Sequence, residues 1–215
     1  MPSVTLATLQ QQVYDRLDNN QSFYPPTQVT QALNQILKRL NILTGFIQAT
    51  VAIPGFSQAG AYLYATPAGI IVPLRIEFES SILQKASLSG IARKYRDWTN
   101  DTTASLGPVA RWAPIGISQF VIHPADATGG RFMQVTGIAP VPMLVNSGNI
   151  VKIPDEFVSI LIEYAVQRVV IKDGMANYSG MQTIMAAMMD KIRDFVIWED
   201  TQFLEQFFLR KDRAA

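Results

Sequence analysis

The sequence predicts an α+β protein: a helical bundle built from both chain ends, an inserted antiparallel β domain, and a long C-terminal helix. Apolar residues recur at helical spacing near both termini. The middle is rich in turn formers, with 11 of the 13 Gly between positions 45 and 148 and 9 of the 12 Pro between positions 54 and 154. Short apolar-polar alternations there are typical of strands. We therefore expect a bundle from residues 1–45 and 151–215 and a β-rich domain from residues 46–150.

Two helices are predicted at the start of the chain. The first, over residues 5–18, carries Leu6, Leu9, Val13 and Leu17 on one face and ends before Pro25 and Pro26. Thr27 is expected to cap the second, which Gly45 ends. Neither helix can bury its apolar stripe alone, so both need a helical partner.

That partner is predicted at residues 153–174. Pro154 suits a first helical position, and Gly174 can adopt the left-handed conformation that ends a helix. Apolar residues occupy nearly every side of the segment, which indicates a buried helix. Charged and polar residues interrupt the apolar run, so a membrane span is not expected: Glu163, Gln167 and Arg168.

The inserted domain is predicted to contain strands near residues 47–53, 70–78, 117–123 and 131–138. Pro73 argues that the second of these lies at a sheet edge. The last two flank a loop that ends in Gly129 and Gly130, so we interpret them as a hairpin. A helix capped by Ser87 is expected between the strands.

A final helix is predicted from Ser179 to Leu209, roughly 45 Å long if unbroken. It ends in an apolar run followed by three basic residues, and the run comprises Phe203, Leu204, Phe207, Phe208 and Leu209. Such a stripe either packs on the subunit's own bundle or docks on another protein.

Composition gives little support to a general nucleic-acid or membrane binder. The net charge is +1, the hydrophobic fraction is 48% and only 16% of residues are charged. Residues 1–153 carry a balance of +4 and residues 154–215 a balance of −3, an asymmetry that can help identical subunits pack. There is no cysteine, so disulfides and thiolate metal sites are excluded. The first residues lack the pattern of a signal peptide.

Three groups of residues could carry chemistry. The single histidine, His123, could form a hydrolase site with Asp126 and Ser118, although a surface-loop histidine gives the same pattern. One histidine without cysteine cannot supply the usual zinc ligands, and no cofactor motif is present.

Glu77 and Glu79 are expected on one strand face about 7 Å apart, a spacing found in sugar hydrolases and also on ordinary solvated strands. Arg93, Lys94 and Arg96 form a basic cluster beside Tyr95 and Trp98. That cluster is a candidate DNA-channel or inter-subunit surface, and its spacing also fits an ordinary amphipathic helix.

Three segments together resemble the head-to-tail adaptor (connector) proteins of tailed double-stranded DNA bacteriophages. They are LQQQVYDRLDNNQSFYPPTQVTQALNQILKRLNILTG, RWAPIGISQFVIHPADATGGRFMQVTGIAPVPML and IPDEFVSILIEYAVQRVVIKDG, in this order. The resemblance covers most of the chain and is poorest over residues 55–110.

The resemblance implies a structural virion protein with no catalytic motif. Such adaptors form a ring, typically of twelve subunits, beneath the capsid portal, where they extend the DNA channel and present a platform to tail or nozzle proteins. It also implies that the C-terminal segment reaches the portal. Two alternatives remain: another neck, tail-completion or tail-tube protein, and an enzyme such as a cell-wall hydrolase.

Overall fold

The computed structural model describes residues 4–53, 57–116, 118–151, 153, 155–171, 180 and 182–192. It contains both helices and sheets, as an α+β protein does. The chain divides into two compact units, one formed by Met1–Thr44 with Val141–Ala215 and the other by Gly45–Pro140.

Five helices have both ends within the described residues: α1 (Leu6–Asp15), α2 (Pro26–Thr44), α3 (Leu88–Lys94), α4 (Thr103–Leu106) and α5 (Val158–Ile171), which follows a 3-10 turn at Asp155–Phe157. The strands found among the described residues are β1 (Val4–Thr5), β2 (Gln48–Ala52), β3 (Leu63–Ala65), β4 (Val72–Phe78), β5 (Ser81–Ile82), β6 (Gln84–Lys85), β7 (Arg111–Ile115), β8 (Gln119–His123), β9 (Met133–Ile138) and β10 (Ile150–Val151).

Helix α5 is the centre of the first unit, where it packs on both α1 and α2. Its apolar side chains are buried on nearly every side, and the fully or nearly covered ones are Ile160, Leu161, Ile162, Tyr164, Ala165 and Val169. The polar positions Glu163 and Arg168 are exposed. The prediction of a buried helix is confirmed over residues 158–171, and the predicted terminal residues Pro154 and Gly174 lie outside the described part of the chain.

The two N-terminal helices form as their periodicity predicts. Thr5 caps α1, because its hydroxyl oxygen accepts a hydrogen bond from the Thr8 backbone N–H at 3.2 Å. Helix α2 begins at Pro26, whereas a Thr27 cap would start it at residue 28, so that prediction was wrong by two residues. Proline fits the first helical position because the N–H it lacks has no partner in that turn. Gly45, with a φ of 64°, follows the last residue of α2.

A buried asparagine fixes the chain where it returns to the helical unit. Asn34 on α2 donates to the carbonyl oxygen of Leu144 at 3.0 Å and accepts from the Leu144 N–H at 2.9 Å. Strands β1 and β10 then pair antiparallel and tie residues 4–5 to residues 150–151. The side chain of Leu144 is buried, whereas those of Met143 and Val145 are exposed.

The second unit holds two four-stranded sheets. The first has the strand order β2-β9-β4-β5 and the second β3-β8-β7-β6, and every pairing is antiparallel except that of β6 with β7. One hydrophobic cluster joins side chains of both sheets, including Trp112 and Phe120 from the second and Ile76 and Val135 from the first. Helix α3 contributes Ile91 to a smaller cluster with Ala113 and Val121.

The predicted hairpin over residues 117–138 was wrong. Strand β8 pairs with β3 and β7, whereas β9 pairs with β2 and β4, so the two strands belong to different sheets. Both strands were predicted, but the residues of a strand do not by themselves identify its partner strand. The connecting residues cross between the sheets, and the buried Asp126 lies in this crossing.

The predicted alternation along residues 70–78 is interrupted by a bulge. The register with β9 shifts between Pro73 and Arg75, which leaves Leu74 exposed and Pro73 buried. The edge position expected from Pro73 was also wrong, because β4 is the third strand of its sheet. Strand β5, however, pairs only with Glu77 and Phe78, so it does not reach Pro73.

Residue 180 and residues 182–192 are helical, which confirms that part of the predicted final helix. Met188 and Ile192 are buried, and Met189 is 48% exposed. The Lys191 ammonium donates to the Glu156 carbonyl oxygen at 3.1 Å. The remainder of the predicted helix lies outside the described residues.

Candidate functional site

The predicted basic cluster lies at the C-terminal end of α3. Ser87 caps this helix by accepting a hydrogen bond from the Gly90 N–H at 3.0 Å. Arg93 and Lys94 occupy the last turn, where positive charge interacts favourably with the negative end of the helix dipole. Arg96 lies beyond the helix, because the backbone becomes extended at Tyr95. The interpretation of all three cations as part of one amphipathic helix was therefore wrong for Arg96.

All three cations of this cluster are exposed. Within the described part of the chain, none of them forms an ion pair within 4.0 Å of an acidic group. The Lys94 ammonium lies 5.5 Å from the centroid of the Tyr95 ring. Such charges remain available to a phosphate backbone or to a neighbouring acidic surface.

Tyr95 fixes the end of α3 against the second sheet. Its hydroxyl oxygen accepts a hydrogen bond from Arg111 Nη1 at 2.8 Å, and its ring centroid lies 4.3 Å from that of His123. Arg111 on β7 and His123 on β8 are directly opposite in register. Tyr95, which lies between Lys94 and Arg96 in the sequence, therefore anchors the cluster to two adjacent strands.

His123 is buried, with a relative exposure of 1%, so the alternative of a surface-loop histidine was wrong. Its Nε2 lies 3.0 Å from a carboxylate oxygen of Asp101, which places the proton on Nε2 when the ring is neutral. Nδ1 has no hydrogen-bond partner among the described residues. Asp101 precedes His123 by 22 residues, and the sequence offered no signal that would pair them.

The hydrolase triad considered from the sequence does not assemble. Ser118 precedes β8 and His123 ends it, so the two are separated by roughly 16 Å of extended strand. Among the described residues, no hydrogen bond joins Asp126 to His123. Asp126 is instead a fully buried carboxylate within the crossing between the two sheets.

Four donors converge on the Asp126 carboxylate. One oxygen accepts from the Ser57 hydroxyl at 2.6 Å and the Gly129 N–H at 3.1 Å. The other accepts from the N–H and the hydroxyl of Thr128 at 3.2 and 3.1 Å, and the Arg131 guanidinium lies 3.6 Å away. Burial alone would raise the pKa of Asp126, but these hydrogen bonds and the Arg131 charge outweigh it and lower the pKa.

The two glutamates do not form a carboxylate pair on one strand. Strand β4 ends at Phe78, and Glu79 lies in the two-residue turn to β5 with a φ of 47°. Glu77 is held by Arg75 and Gln134, whereas Glu79 pairs with Arg131 at 3.2 Å. The prediction that both lie on one strand face was wrong, because it assumed that the strand continued through residue 79.

The candidate portal-docking residues lie outside the described residues: Phe203, Leu204, Phe207, Phe208 and Leu209. In the described part of the chain, no cluster of three or more His, Asp or Glu residues could hold a metal ion. No helix in that part has both the length and the apolarity that crossing a bilayer requires.

The geometry thus defines a two-unit α+β protein in which the buried Asn34 and Asp126 side chains are held by internal hydrogen bonds. A protein-family model described as SU10 adaptor protein matches residues 4–202, which is most of the sequence. The chain therefore belongs to the SU10 adaptor protein family. No curated protein matched the sequence.

Family membership confirms the resemblance to phage head-to-tail adaptors. The protein is a structural phage adaptor and a component of the virion neck, and the family is not a family of enzymes. The adaptor role implies contact with the portal and with tail proteins.

Proposed function

We propose that this adaptor forms a homo-oligomeric ring of twelve subunits between the capsid portal and the tail, where it extends the DNA channel. The observation that carries this proposal is the family match over residues 4–202. The ring would pass double-stranded DNA without reading its sequence, and it would assemble in the cytoplasm of the infected bacterial host.

The surface of the described residues supports a protein that buries large interfaces. Several large apolar side chains are exposed on a chain that is only 16% charged, and the most exposed are Val145, Ile82, Met143, Ile150 and Phe23. Where such side chains form a patch, they normally mark contact with another protein. Obligate interfaces are also larger and more apolar than transient ones.

We further propose that the two compact units correspond to the helical bundle and the inserted β domain expected from the sequence. The long helix predicted to end the chain would extend from the bundle. Its apolar residues Phe203, Leu204, Phe207, Phe208 and Leu209 would dock on the portal, and the following basic residues would lie beyond that contact.

Deleting the residues after Thr201 tests the C-terminal proposal. We expect the truncated subunit to keep its fold, measured by far-UV circular dichroism and thermal melting, and to lose portal binding. A control variant with Arg210, Lys211 and Arg213 changed to Gln should keep most of the binding, because the apolar run remains. Loss of folding on truncation would instead assign the run to the subunit's own core.

The basic cluster is proposed to face the DNA channel or a neighbouring subunit. Changing Arg93, Lys94 and Arg96 to Gln removes three exposed charges, so the melting temperature of the subunit should stay unchanged. If the cluster faces DNA, ring assembly should persist while packaged DNA is retained less well. If it faces a neighbouring subunit, assembly itself should weaken and become less sensitive to salt.

The decisive experiment is electron microscopy of the purified protein with its portal. Ring density beneath the portal supports the proposal, and its absence at saturating subunit concentration contradicts it. A density map of whole particles distinguishes an adaptor from another neck, tail-completion or tail-tube protein, because it shows whether the subunit touches the portal. Infectivity of a particle carrying Glu77→Gln and Glu79→Gln would remove the motivation for a hydrolase.

A further inference from the structure

Strand β2 is an edge strand of the first sheet in the part of the chain that the structure describes. Its only partner among the described residues is β9, with Gln48 opposite Ile138 and Ala52 opposite Gln134. The Ala139 N–H donates to the Ile47 carbonyl, and the Ile53 N–H donates to the Met133 carbonyl at the other end of the strand, both at 2.9 Å.

These two bonds determine which backbone groups of β2 face outwards. In an antiparallel pair, hydrogen-bonded and non-hydrogen-bonded positions alternate. The backbone N–H and C=O groups of residues 47, 49, 51 and 53 therefore point towards β9. Those of Gln48, Thr50 and Ala52 point away from it. The 2.8 Å contact between the hydroxyls of Thr50 and Thr136 fits this assignment, because side chains are closer at non-hydrogen-bonded positions.

This edge lacks the usual protection against pairing. Natural edge strands carry lysine, proline or a bulge, whereas β2 reads QATVA and pairs with β9 without a register shift. Its core-facing residues Ala49 and Val51 are only half-buried, although they pack on the main hydrophobic cluster. A further strand beside β2 would satisfy its backbone groups and complete the burial of these side chains.

The opposite edge of the same sheet, formed by β5, exposes apolar side chains. Strand β5 is only two residues long, and Ile82 within it is 63% exposed. The Leu83 N–H donates to the Ile76 carbonyl, so the backbone groups of Ile82 point away from β4. Leu74, displaced by the bulge, is 36% exposed, and Phe132 beside the β4–β5 turn is 45% exposed.

We propose that the β2 edge of one subunit receives the β5 edge of a second copy of this chain, so that the first sheet continues from subunit to subunit. The inference rests on the proposed ring. A closed ring requires two different surfaces on each subunit, and this sheet provides an open uncharged edge at one end and an exposed apolar edge at the other. Pairing of extended strands supplies main-chain hydrogen bonds, and Ile82 and Leu74 supply apolar contact.

A row of directly opposed residues provides a cross-linking test. Ala52, Gln134, Glu77 and Ile82 lie opposite one another across the four strands, so the side chains of Ala52 and Ile82 share one face of the sheet. Three strand spacings separate them by roughly 14 Å within one subunit, too far for a disulfide. The chain has no cysteine. A bond between introduced cysteines at these positions must therefore join two subunits.

Three double variants combine Ile82→Cys with Gln48→Cys, Thr50→Cys or Ala52→Cys. Together they sample the possible registers between β5 of one subunit and β2 of the next. Mild oxidation of the assembled protein with its portal should give a ladder of covalent oligomers for at least one pair. Ser89→Cys with Thr50→Cys serves as the matched control and should give none. Absence of a ladder for all three pairs in an intact ring overturns the proposal. Dimers from Thr50→Cys alone also overturn it, because they indicate two-fold pairing of β2.

A second variant tests the backbone directly. Thr50→Pro removes one outward N–H and leaves the bonds to β9 in place, so the subunit should fold and association should weaken roughly tenfold per interface. Thr50→Ala keeps the N–H, loses only the hydroxyl contact and should assemble normally. Equal assembly of the two variants contradicts the edge pairing. If Thr50→Pro fails to fold, the cysteine cross-linking alone decides whether β2 pairs with β5 of another subunit. A wild-type chain that stays monomeric with portal present would instead refute the ring.

Discussion

The buried carboxylate of Asp126 should be worth several kilocalories per mole to the β-rich unit. Replacing Asp126 with Asn preserves the shape and removes the charge. An asparagine side chain has one acceptor oxygen, whereas the carboxylate accepts four hydrogen bonds on two oxygens. In either orientation its NH₂ group faces a backbone N–H, that of Thr128 or that of Gly129, which then loses its acceptor.

The magnitude follows from these lost interactions. A hydrogen bond to a charged group contributes about 1.5–3 kcal/mol, and a buried donor left unpaired costs about 1–3 kcal/mol. We therefore expect Asp126→Asn to lower the free energy of unfolding by about 3 kcal/mol. Asp97→Asn is the matched control, because Asp97 is an exposed carboxylate of the same unit, and its effect should stay within about 0.5 kcal/mol.

Urea denaturation followed by tryptophan fluorescence provides the assay. Trp112 lies in the core of the same unit with 1% of its surface exposed, so its emission should shift when that unit unfolds. Equal midpoints for Asp126→Asn and Asp97→Asn would refute the reasoning, because the four donors would then have no energetic role.

The contribution of Asp126 to the stability of the folded state should depend on pH. The pKa of Asp126 is lowered in the folded state, so its contribution is fully present above the unfolded pKa of about 3.9. That contribution is lost as the pH falls through the folded pKa. The difference in stability between wild type and Asp126→Asn should therefore be constant near neutral pH and shrink below about pH 4. A difference that grows on acidification would contradict this account.

Three further substitutions test the packing of each unit. Leu161→Ala in α5 removes a side chain that is 1% exposed and should cost about 2–5 kcal/mol in chemical denaturation. Asn34→Ala removes both hydrogen bonds to Leu144 and should cost about 2 kcal/mol by thermal melting, whereas exposed Gln35→Ala should be neutral. Gly137→Ala places a Cβ against a carbonyl oxygen of β4, so we expect reduced soluble yield or a lower melting temperature.

The helices were predictable because their signals are local. Leu6, Leu9 and Val13 recur at helical spacing and are all buried in α1. The apolar residues on nearly every side of residues 158–171 likewise identified the helix that the first unit surrounds. Such patterns depend on residues three or four positions apart, so they can be recognised in a single sequence.

The sheet arrangement was less predictable, because strand partners depend on distant contacts. Strands β8 and β9 were both predicted, but Asp126, which is buried in the segment between them, resembled an ordinary turn residue. The bulge at Leu74 and the turn at Glu79 each changed which side chains share a face. A pattern of period two assumes an unbroken strand.

The candidate site was predicted only in part. The exposure of Arg93, Lys94 and Arg96 followed from their place opposite the apolar residues of α3, but the end of that helix before Arg96 did not. The burial of His123 could not be anticipated, because its partner Asp101 is distant in sequence. The open edge of β2 became visible only once the order of strands was known.

The mass of the native assembly tests the central claim most directly. Native mass spectrometry of the purified adaptor, alone and bound to its portal, reports the number of subunits without assuming their arrangement. We predict a closed assembly of twelve copies on the portal. A chain that remains a monomer or dimer under both conditions would contradict the account.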